Sequence, residues 1–237
     1  MTKYLKFTDL TSLSERDTAT SISAWAAAAV SGQELPAALC VYPSMIESAA
    51  LAIADRDVSL AAVAGAFPSG QTYMEVKLLE VALAIENGAD EIDLPIDIGA
   101  ILSQNFDVAQ AEIAAIKEEI GGEALLKVIL ETGVLAHDQL IYQASMAAMQ
   151  AGADFIKTST GKALVDGAVV GATPGAVQVM CRAIKQFHEL TGRQVGIKVA
   201  GGIRTDQDAT LYYNIVSTEL GSSWLTPSFF RLGRSSI

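Results

Sequence analysis

The sequence is poor in cysteine and histidine, with two of each among 237 residues. Cys40 and Cys181 are too few for the disulfide framework that stabilises small secreted proteins. His137 and His188 lie far apart in the chain and lack the spacing of metal ligands, so a histidine-rich metal site is not expected. We expect each histidine on a helix surface, and we predict neither a metal nor a cofactor.

Basic residues are also few, since 16 Lys and Arg against 27 Asp and Glu give a formal net charge of −11. Nucleic acids and anionic membrane surfaces both require a basic face, so neither is an expected partner. No apolar run approaches the roughly 20 residues of a membrane-spanning helix, and no signal peptide is apparent. The expected location is the cytoplasm, and an anionic substrate would need a locally basic site.

Short apolar runs alternate with amphipathic helical stretches along the whole chain, which is the pattern of repeated βα units around a parallel sheet. The candidate strands are Phe7–Leu10, Ala37–Tyr42, Leu60–Phe67, Glu91–Leu94, Leu125–Leu130, a strand beginning at Phe155, Val195–Val199 and Phe229–Leu232. Eight such units in 237 residues fit one domain over residues 1–237. The predicted fold class is α/β, a single-domain (β/α)8 TIM barrel.

Helix starts can be predicted from residues whose side chains bond free backbone N–H groups. The predicted caps are Ser14, Thr72 with Glu75 as a capping box, Thr173 with Pro174 at the first helical position, and Thr205. These caps predict helices between the candidate strands, as a barrel of βα units requires.

Four neighbouring strands carry an ionisable residue where an apolar residue is expected: Asp93, Lys127, Lys157 and Lys198. Inward side chains of consecutive parallel strands, about 4.8 Å apart, meet at the mouth of a closed barrel. For each residue alone, a structural ion pair or a lysine reaching towards water is the simpler interpretation. Four on successive strands favour a functional site.

Lys157 is the candidate nucleophile, because a lysine amine in an apolar strand can attack a carbonyl group when it is uncharged. A second ammonium about 6 Å away, at an effective dielectric near 20, favours the neutral amine by roughly 2.8 kcal/mol. Lys198 is suitably placed to supply that charge. Asp93 would carry protons, through a water molecule, and Lys127 would keep Asp93 ionised and oriented.

Turns rich in backbone donors follow the last three strands, at the end of a barrel that often binds phosphate. They are Thr160-Gly161-Lys162, Ala200-Gly201-Gly202 and Gly233-Arg234-Ser235-Ser236. A glycine pair after a strand usually marks only a tight turn. Three such turns on consecutive strands predict an anion site.

The sequence resembles the deoxyribose-phosphate aldolase family over nearly its whole length. The segments that carry the resemblance are Asp9–Thr11, Cys40–Pro43, Gly88–Asp93, Leu126–Gly133, Phe155–Lys162 and Gly196–Arg204. The resemblance implies a (β/α)8 barrel without a metal that reversibly cleaves 2-deoxy-D-ribose 5-phosphate to acetaldehyde and D-glyceraldehyde 3-phosphate. The expected partners are therefore a small phosphorylated sugar and aldehydes.

The same resemblance assigns roles to individual residues. It implies that Lys157 forms the Schiff base, that Lys198 tunes the protonation of Lys157, and that Asp93 and Lys127 work in proton transfer. The phosphate-binding positions are matched by Gly161, Lys162, Gly201, Gly202, Ser235 and Ser236, with Thr160 beside them. The implied substrate pocket includes Asp9, Thr11 and Cys40.

Two features depart from the family. The connection Ala163–Ala172, rich in glycine and valine, is longer than the family usually carries, and its role is open. Some members also continue past the paired serines to a tyrosine that assists proton exchange, which has no counterpart up to Ile237.

Alternatives remain open at this stage. Another lysine-dependent barrel aldolase or transaldolase with a different phosphorylated sugar would use the same chemistry, and a non-catalytic sugar-phosphate-binding barrel would share the fold. A homo-oligomer is also left open by the sequence.

Overall fold

The computed structural model describes residues 3–54 and 56–236. Strands β1 to β6 and β9 and β10 are all parallel to their neighbours and close into one barrel, in the order β1-β10-β9-β6-β5-β4-β3-β2. The barrel strands are β1 Thr8–Thr11, β2 Ala38–Val41, β3 Ser59–Val63, β4 Glu91–Pro95, β5 Leu125–Ile129, β6 Phe155–Lys157, β9 Gly196–Ala200 and β10 Phe230–Arg234. The predicted (β/α)8 TIM barrel is confirmed.

Helices surround the barrel and connect its strands. They are α1 Ala19–Ala29, α2 Ile46–Ile53, α3 Met74–Glu86, α4 Ile98–Leu102, α5 Phe106–Ile120, α6 Thr132–Leu135, α7 Asp138–Gln150, α8 Pro174–Thr191 and α9 Asp206–Leu220. Two of the predicted caps are confirmed: Thr173 accepts from Ala176 N at 3.2 Å, and Thr205 accepts from Asp208 N at 3.1 Å in a capping box.

The other two predicted caps are wrong. Helix α1 begins after Thr18, which forms a capping box with Ser21, and Ser14 lies in the preceding loop. Helix α3 begins after Tyr73, one residue later than Thr72, and has no side-chain cap. The third position of that helix is consequently Val76, which has no carboxylate to return a hydrogen bond.

The third strand is also shorter than predicted. It ends at Val63, because Gly65 and Ala66 adopt positive φ values of 71° and 62°, which an extended strand cannot contain. The connection Ala163–Ala172 contains a short antiparallel hairpin of β7 Leu164–Val165 and β8 Ala168–Val169. Its base packs closely on Gly133, where a Cβ atom would lie 2.5 Å from Val170 Cβ.

The apolar core lies between the barrel and the helices. Outward side chains of the strands, such as Ile92, Val128 and Ile197, are fully buried against the helices there. The barrel interior is different. One side holds a small apolar cluster of Ala38, Cys40, Ala61 and Val63, and the other side is filled by charged side chains. Gly233 packs closely on the neighbouring strand there: a Cβ at this position would lie 2.8 Å from Ala200 Cβ.

Candidate active site

The structure brings the four predicted ionisable residues together inside the barrel. The ammonium groups of Lys157 and Lys198 both donate to Oδ2 of Asp93, each at 2.7 Å. Lys127 lies 3.1 Å from the other oxygen, Oδ1. Strand register explains the arrangement, because Asp93 is paired with Lys127 across β4 and β5, and Lys157 with Lys198 across β6 and β9. All four side chains are buried.

Below this group lies a second layer of charges, formed by Asp9, Glu91 and Arg231. Of these three, only Asp9 was predicted from the sequence as a site residue. Asp9 was predicted to line the substrate pocket, yet it is fully buried and lies 2.6 Å from Lys198 and 3.0 Å from Lys127. Arg231 binds Asp9 at 2.7 Å and Glu91 at 2.9 Å, and Glu91 also binds Lys127. Asp9 therefore holds the two lysines in place from beneath the cavity.

Glu91 and Arg231 carried a usable signal in the sequence. Glu91 stands two residues before Asp93, and Arg231 two residues before Gly233, so each pair shares the inward face of its strand. A charged residue near the start of a strand is usually exposed to solvent, so neither residue is distinguished by its type alone.

Burial and charge together fix the protonation of this cluster. Burial would raise the pKa of Asp93, but Lys127, Lys157 and Lys198 outweigh it and hold that pKa well below its ordinary value. Burial would lower the pKa of Lys198, but Asp9 and Asp93 outweigh it, and the pKa of Lys198 is raised. The pKa of Lys127 is raised in the same way, by Asp9, Asp93 and Glu91 against burial. At neutral pH, Asp93 is therefore a carboxylate and Lys198 an ammonium.

A cavity of about 700 Å³ opens above the charged interior, and both Lys157 and Lys198 reach its wall. The predicted phosphate turns line the same cavity through Thr160, Gly161, Lys162, Gly201, Gly202 and Ser235. Gly201 and Gly202 have φ values of 88° and 89°, a conformation that favours glycine and exposes backbone donors. Thr11 also lines the cavity, whereas Ser236 is exposed beside it.

Cys40, the remaining predicted pocket residue, faces the barrel interior. Its sulfur lies 3.9 Å from Oδ2 of Asp93, and the side chain is fully buried. Burial raises the pKa of its thiol, so Cys40 is neutral at physiological pH. The structure thus places Cys40 beside Asp93 as a small, uncharged neighbour.

Glu131, directly after β5, organises one of the phosphate turns and was missed by the sequence reasoning. Its Oε2 accepts from the backbone N–H of Thr160 at 3.1 Å and from the Thr160 hydroxyl. Burial raises the pKa of Glu131 despite these bonds, and its Oε1 has no hydrogen-bond partner within the described part of the chain. The backbone N–H and the hydroxyl of Thr160 are therefore both bonded to Glu131. Lys162 donates to the carbonyl of Leu13 at 2.7 Å.

The part of the chain that the structure describes, residues 3–54 and 56–236, holds no cluster of His, Cys, Asp and Glu able to bind a metal ion. His137 is exposed at the start of α7, and His188 packs edge-on against Trp224 with ring centroids 5.3 Å apart. Within the same described residues, none of the helices has the length and hydropathy to cross a membrane. The predicted difference at the C-terminal end, at Ile237, lies outside the described residues.

Comparisons with known proteins identify relatives of this chain. The deoxyribose-phosphate aldolase of Agrobacterium fabrum is 38% identical over 234 residues, covering 98% of this chain and 86% of that protein. The mouse deoxyribose-phosphate aldolase is 44% identical over 203 residues, covering 85% of this chain and 62% of that longer protein. The chain therefore spans less than two thirds of the mouse enzyme.

Solved structures give the same result. An aldolase described as QR15 superposes with a TM-score of 0.81 at 29% identity, over 100% of this chain and 93% of that one. The tetrameric deoxyribose phosphate aldolase of Aeropyrum pernix superposes with a TM-score of 0.77 at 27% identity, over 98% and 86% of the two chains. The model of the DeoC/LacD family aldolases matches residues 3–219. The chain, whose motifs resemble deoxyribose-phosphate aldolase, thus belongs to the DeoC/LacD aldolase family.

Proposed function

We propose that this chain is a class I aldolase that reversibly cleaves 2-deoxy-D-ribose 5-phosphate to acetaldehyde and D-glyceraldehyde 3-phosphate through a Schiff base on Lys157. The observation that carries the proposal is the position of Lys157. Its amine lies 2.7 Å from a buried carboxylate, Asp93, and also reaches the wall of a cavity whose far side is lined by glycine turns. A nucleophile and a candidate anion site thus share one cavity, and a proton acceptor lies buried directly beside the nucleophile.

The reaction begins when the uncharged amine of Lys157 attacks C1 of the open-chain sugar. Loss of water from the resulting carbinolamine gives the imine, whose positive nitrogen draws electrons from the neighbouring bonds. Removal of the proton from the C3 hydroxyl then breaks the C2–C3 bond. The C3–C5 fragment leaves as D-glyceraldehyde 3-phosphate, and an enamine stays on Lys157.

The cycle ends when C2 of the enamine takes up a proton and water hydrolyses the imine, which releases acetaldehyde and frees Lys157. We assign the proton transfers to Asp93 because its Oδ2 lies 2.7 Å from Lys157, where a water molecule could relay a proton, and its depressed pKa keeps it a carboxylate between transfers. Lys198 supplies a permanent positive charge beside Lys157, which favours the uncharged amine. Lys127 holds the second oxygen of Asp93.

Phosphate recognition follows from the three turns at the cavity wall. Backbone N–H groups of Gly161, Gly201 and Gly202 can approach an anion closely, since no Cβ atom covers these positions. Lys162 adds a positive charge at the same wall. The site is locally basic in a chain of net charge −11, as an anionic substrate requires.

Borohydride reduction in the presence of 2-deoxy-D-ribose 5-phosphate tests this proposal. We expect a reduced adduct on the peptide that carries Lys157, and loss of both the adduct and cleavage in Lys157→Met. Lys185→Met, on the exposed face of α8, is the matched control and should keep both.

An adduct on another lysine, or cleavage by Lys157→Met, would contradict the assignment of the nucleophile. An adduct on Lys157 with products other than acetaldehyde and D-glyceraldehyde 3-phosphate would instead favour a related lysine-dependent aldolase. An adduct without any product would favour a non-catalytic sugar-phosphate-binding barrel.

A further inference from the structure

Arg234 lies at the end of β10, between Gly233 and Ser235, and all three residues line the cavity. Its side chain is buried, with 5% of the residue exposed. A guanidinium remains charged at every physiological pH, so this position carries a permanent positive charge into the cavity wall. Neither the proposed catalytic cycle nor the backbone turns make use of it.

The hydrogen bonds of Arg234 are long and incomplete. Its Nη1 is 3.4 Å from Oδ1 of Asp206, and its Nη2 is 3.5 Å from the carbonyl oxygen of Arg204. Both distances are at the upper limit of a hydrogen bond. Its Nε is buried and has no hydrogen-bond partner among residues 3–54 and 56–236. A buried donor without a partner is costly, so such a group usually has a ligand or a role.

Arg231, three residues earlier on the same strand, provides an internal comparison. Its guanidinium binds Asp9 at 2.7 Å and Glu91 at 2.9 Å, and its Nε donates to the carbonyl of Pro227. Each of its nitrogens therefore has a short partner, as a structural arginine should. Arg234 has the same chemistry, equal burial and no comparable partners, which indicates that its donors are available to a ligand.

The charges around Arg234 identify the class of ligand. The cationic residues that line the cavity are Lys157, Lys162, Lys198, Arg204 and Arg234. Among the lining residues that the structure describes, Glu15 is the single carboxylate, and it lies 3.4 Å from Lys162. Such a wall favours an anion, and the planar fork of a guanidinium binds two oxygens of a phosphate at once.

We propose that Arg234 is a specificity-determining residue, whose guanidinium binds the phosphomonoester of the substrate and selects phosphorylated over unphosphorylated sugars. This inference rests on the proposed function for the identity of the sugar. Asp206 and the Arg204 carbonyl hold the guanidinium only by contacts of 3.4 and 3.5 Å. A phosphate resting on the turns at Gly201 and Ser235 offers it shorter, charge-assisted bonds.

The first experiment compares two substrates, 2-deoxy-D-ribose 5-phosphate and 2-deoxy-D-ribose, in Arg234→Gln and Arg234→Lys. We expect Arg234→Gln to raise KM for the phosphorylated sugar about 10- to 100-fold, the loss expected for a charge-assisted bond. The kcat/KM for the unphosphorylated sugar should stay within about twofold, because Arg234 does not touch the reacting carbons. Arg234→Lys should fall between, since it keeps the charge and loses the fork.

Arg182→Gln is the matched control, because it removes the same charge from an exposed position on α8. It should leave KM for both sugars unchanged. An unchanged KM for the phosphorylated sugar in Arg234→Gln would overturn the proposal. A parallel loss on both sugars would also overturn it, because that is the result of a structural role for Arg234.

The second experiment measures binding of inorganic phosphate by calorimetry, which needs no turnover. We expect Arg234→Gln to weaken phosphate binding by a similar factor and Arg182→Gln to leave it unchanged. Equal phosphate affinity in wild type and Arg234→Gln would overturn the role of Arg234. If the wild-type protein does not cleave 2-deoxy-D-ribose 5-phosphate, the proposed function fails, while this measurement still decides whether Arg234 binds phosphate.

Discussion

Lys157 stands where the charged interior of the barrel meets the cavity, and the charges around it bear on its protonation. Among the residues that the structure describes, one connected network of buried ion pairs inside the barrel holds the cations Lys127, Lys157, Lys198 and Arg231 and the carboxylates Asp9, Glu91 and Asp93. Four cations face three carboxylates, so the interior is electrically balanced when one cation is neutral. Lys157 is the cation that reaches the cavity while contacting a single carboxylate, and the proposed reaction requires its uncharged amine.

Lys198→Met tests this balance. The variant leaves three cations and three carboxylates, which are balanced only when Lys157 keeps its proton. We expect it to fold, and to form the imine at least tenfold more slowly at neutral pH, a change of about 1.4 kcal/mol. Activity should recover in part as the pH rises, because alkaline solution removes the proton that Lys198 no longer disfavours. The measurement is the rate of borohydride-trapped adduct between pH 6 and 10.

A pH profile of Lys198→Met that matches the wild type would mean that burial alone controls the amine. Lys185→Met serves again as the control for removing one positive charge, since Lys185 is exposed on α8. It should leave the profile unchanged.

The charged residues of the candidate site could be predicted from the sequence because they break an apolar pattern. A lysine in the strand Phe155–Lys157 and an aspartate in Glu91–Pro95 stand out among buried neighbours, and strand order then makes them meet. Glu131 could not be found in this way. It lies just past a strand end, with φ of 55°, where a charged residue is ordinary, and its role depends on the approach of Thr160 in space.

At the scale of elements, strand existence was easier to predict than helix starts. Each candidate strand corresponds to a barrel strand, because apolar runs of this length have few alternatives. Two of the four predicted caps are correct and two are wrong, since a cap depends on the backbone conformation of a single residue. Thr173 has the extended backbone of an N-cap, with φ of −123° and ψ of 151°, whereas in α3 that position belongs to Tyr73.

Two threonine substitutions follow from this difference. Thr173→Ala removes the hydroxyl that accepts from Ala176 N, so we expect the free energy of unfolding to fall by about 1 kcal/mol. Thr72→Ala removes an exposed hydroxyl outside α3, so the expected change is within about 0.5 kcal/mol. Urea unfolding of the two variants beside the wild type measures both. Equal losses would show that the sequence signal at Thr72 is a working cap.

At the scale of the molecule, there are two distinct buried regions, one between the barrel strands and the helices and one inside the barrel. Apolar side chains fill the layer between strands and helices, and this layer could be predicted from the periodicity of the sequence. The inside of the barrel is half apolar and half ionic. That division could not be predicted in full, because it depends on which strands face each other across the closed sheet. The charged side of the barrel interior, called the ionic half below, makes the free energy of unfolding depend on pH.

The pKa shifts of the ionic half predict a plateau of stability with a steep acid limb. Asp9 and Asp93 have pKa values lowered in the folded protein, by lysines and Arg231 against burial, so their contribution is present above the unfolded pKa of about 3.9. As the pH falls below that value, the unfolded chain binds protons that the folded chain does not. The raised pKa values of Lys127 and Lys198 give an alkaline limb, because the stability that these lysines contribute is lost as the pH rises above about 10.4.

Denaturant unfolding at a series of pH values measures the acid limb. Below about pH 3.9, Asp9 and Asp93 should together lower the free energy of unfolding by about 2.7 kcal/mol per pH unit, half from each residue. Glu131 has the opposite effect on the free energy of unfolding, because its raised pKa lets the folded chain bind a proton before the unfolded chain does. This effect is confined to pH values above the unfolded pKa of about 4.3.

Asp9→Asn should reduce the slope of the free energy of unfolding against pH, below about pH 3.9, by about half of what Asp9 and Asp93 contribute together. Asp138→Asn, at an exposed residue 3.8 Å from Arg182, should leave the slope unchanged. An acid slope equal in wild type and Asp9→Asn would mean that the buried carboxylates take up protons together with the unfolded chain, and that the ionic interior does not control acid unfolding.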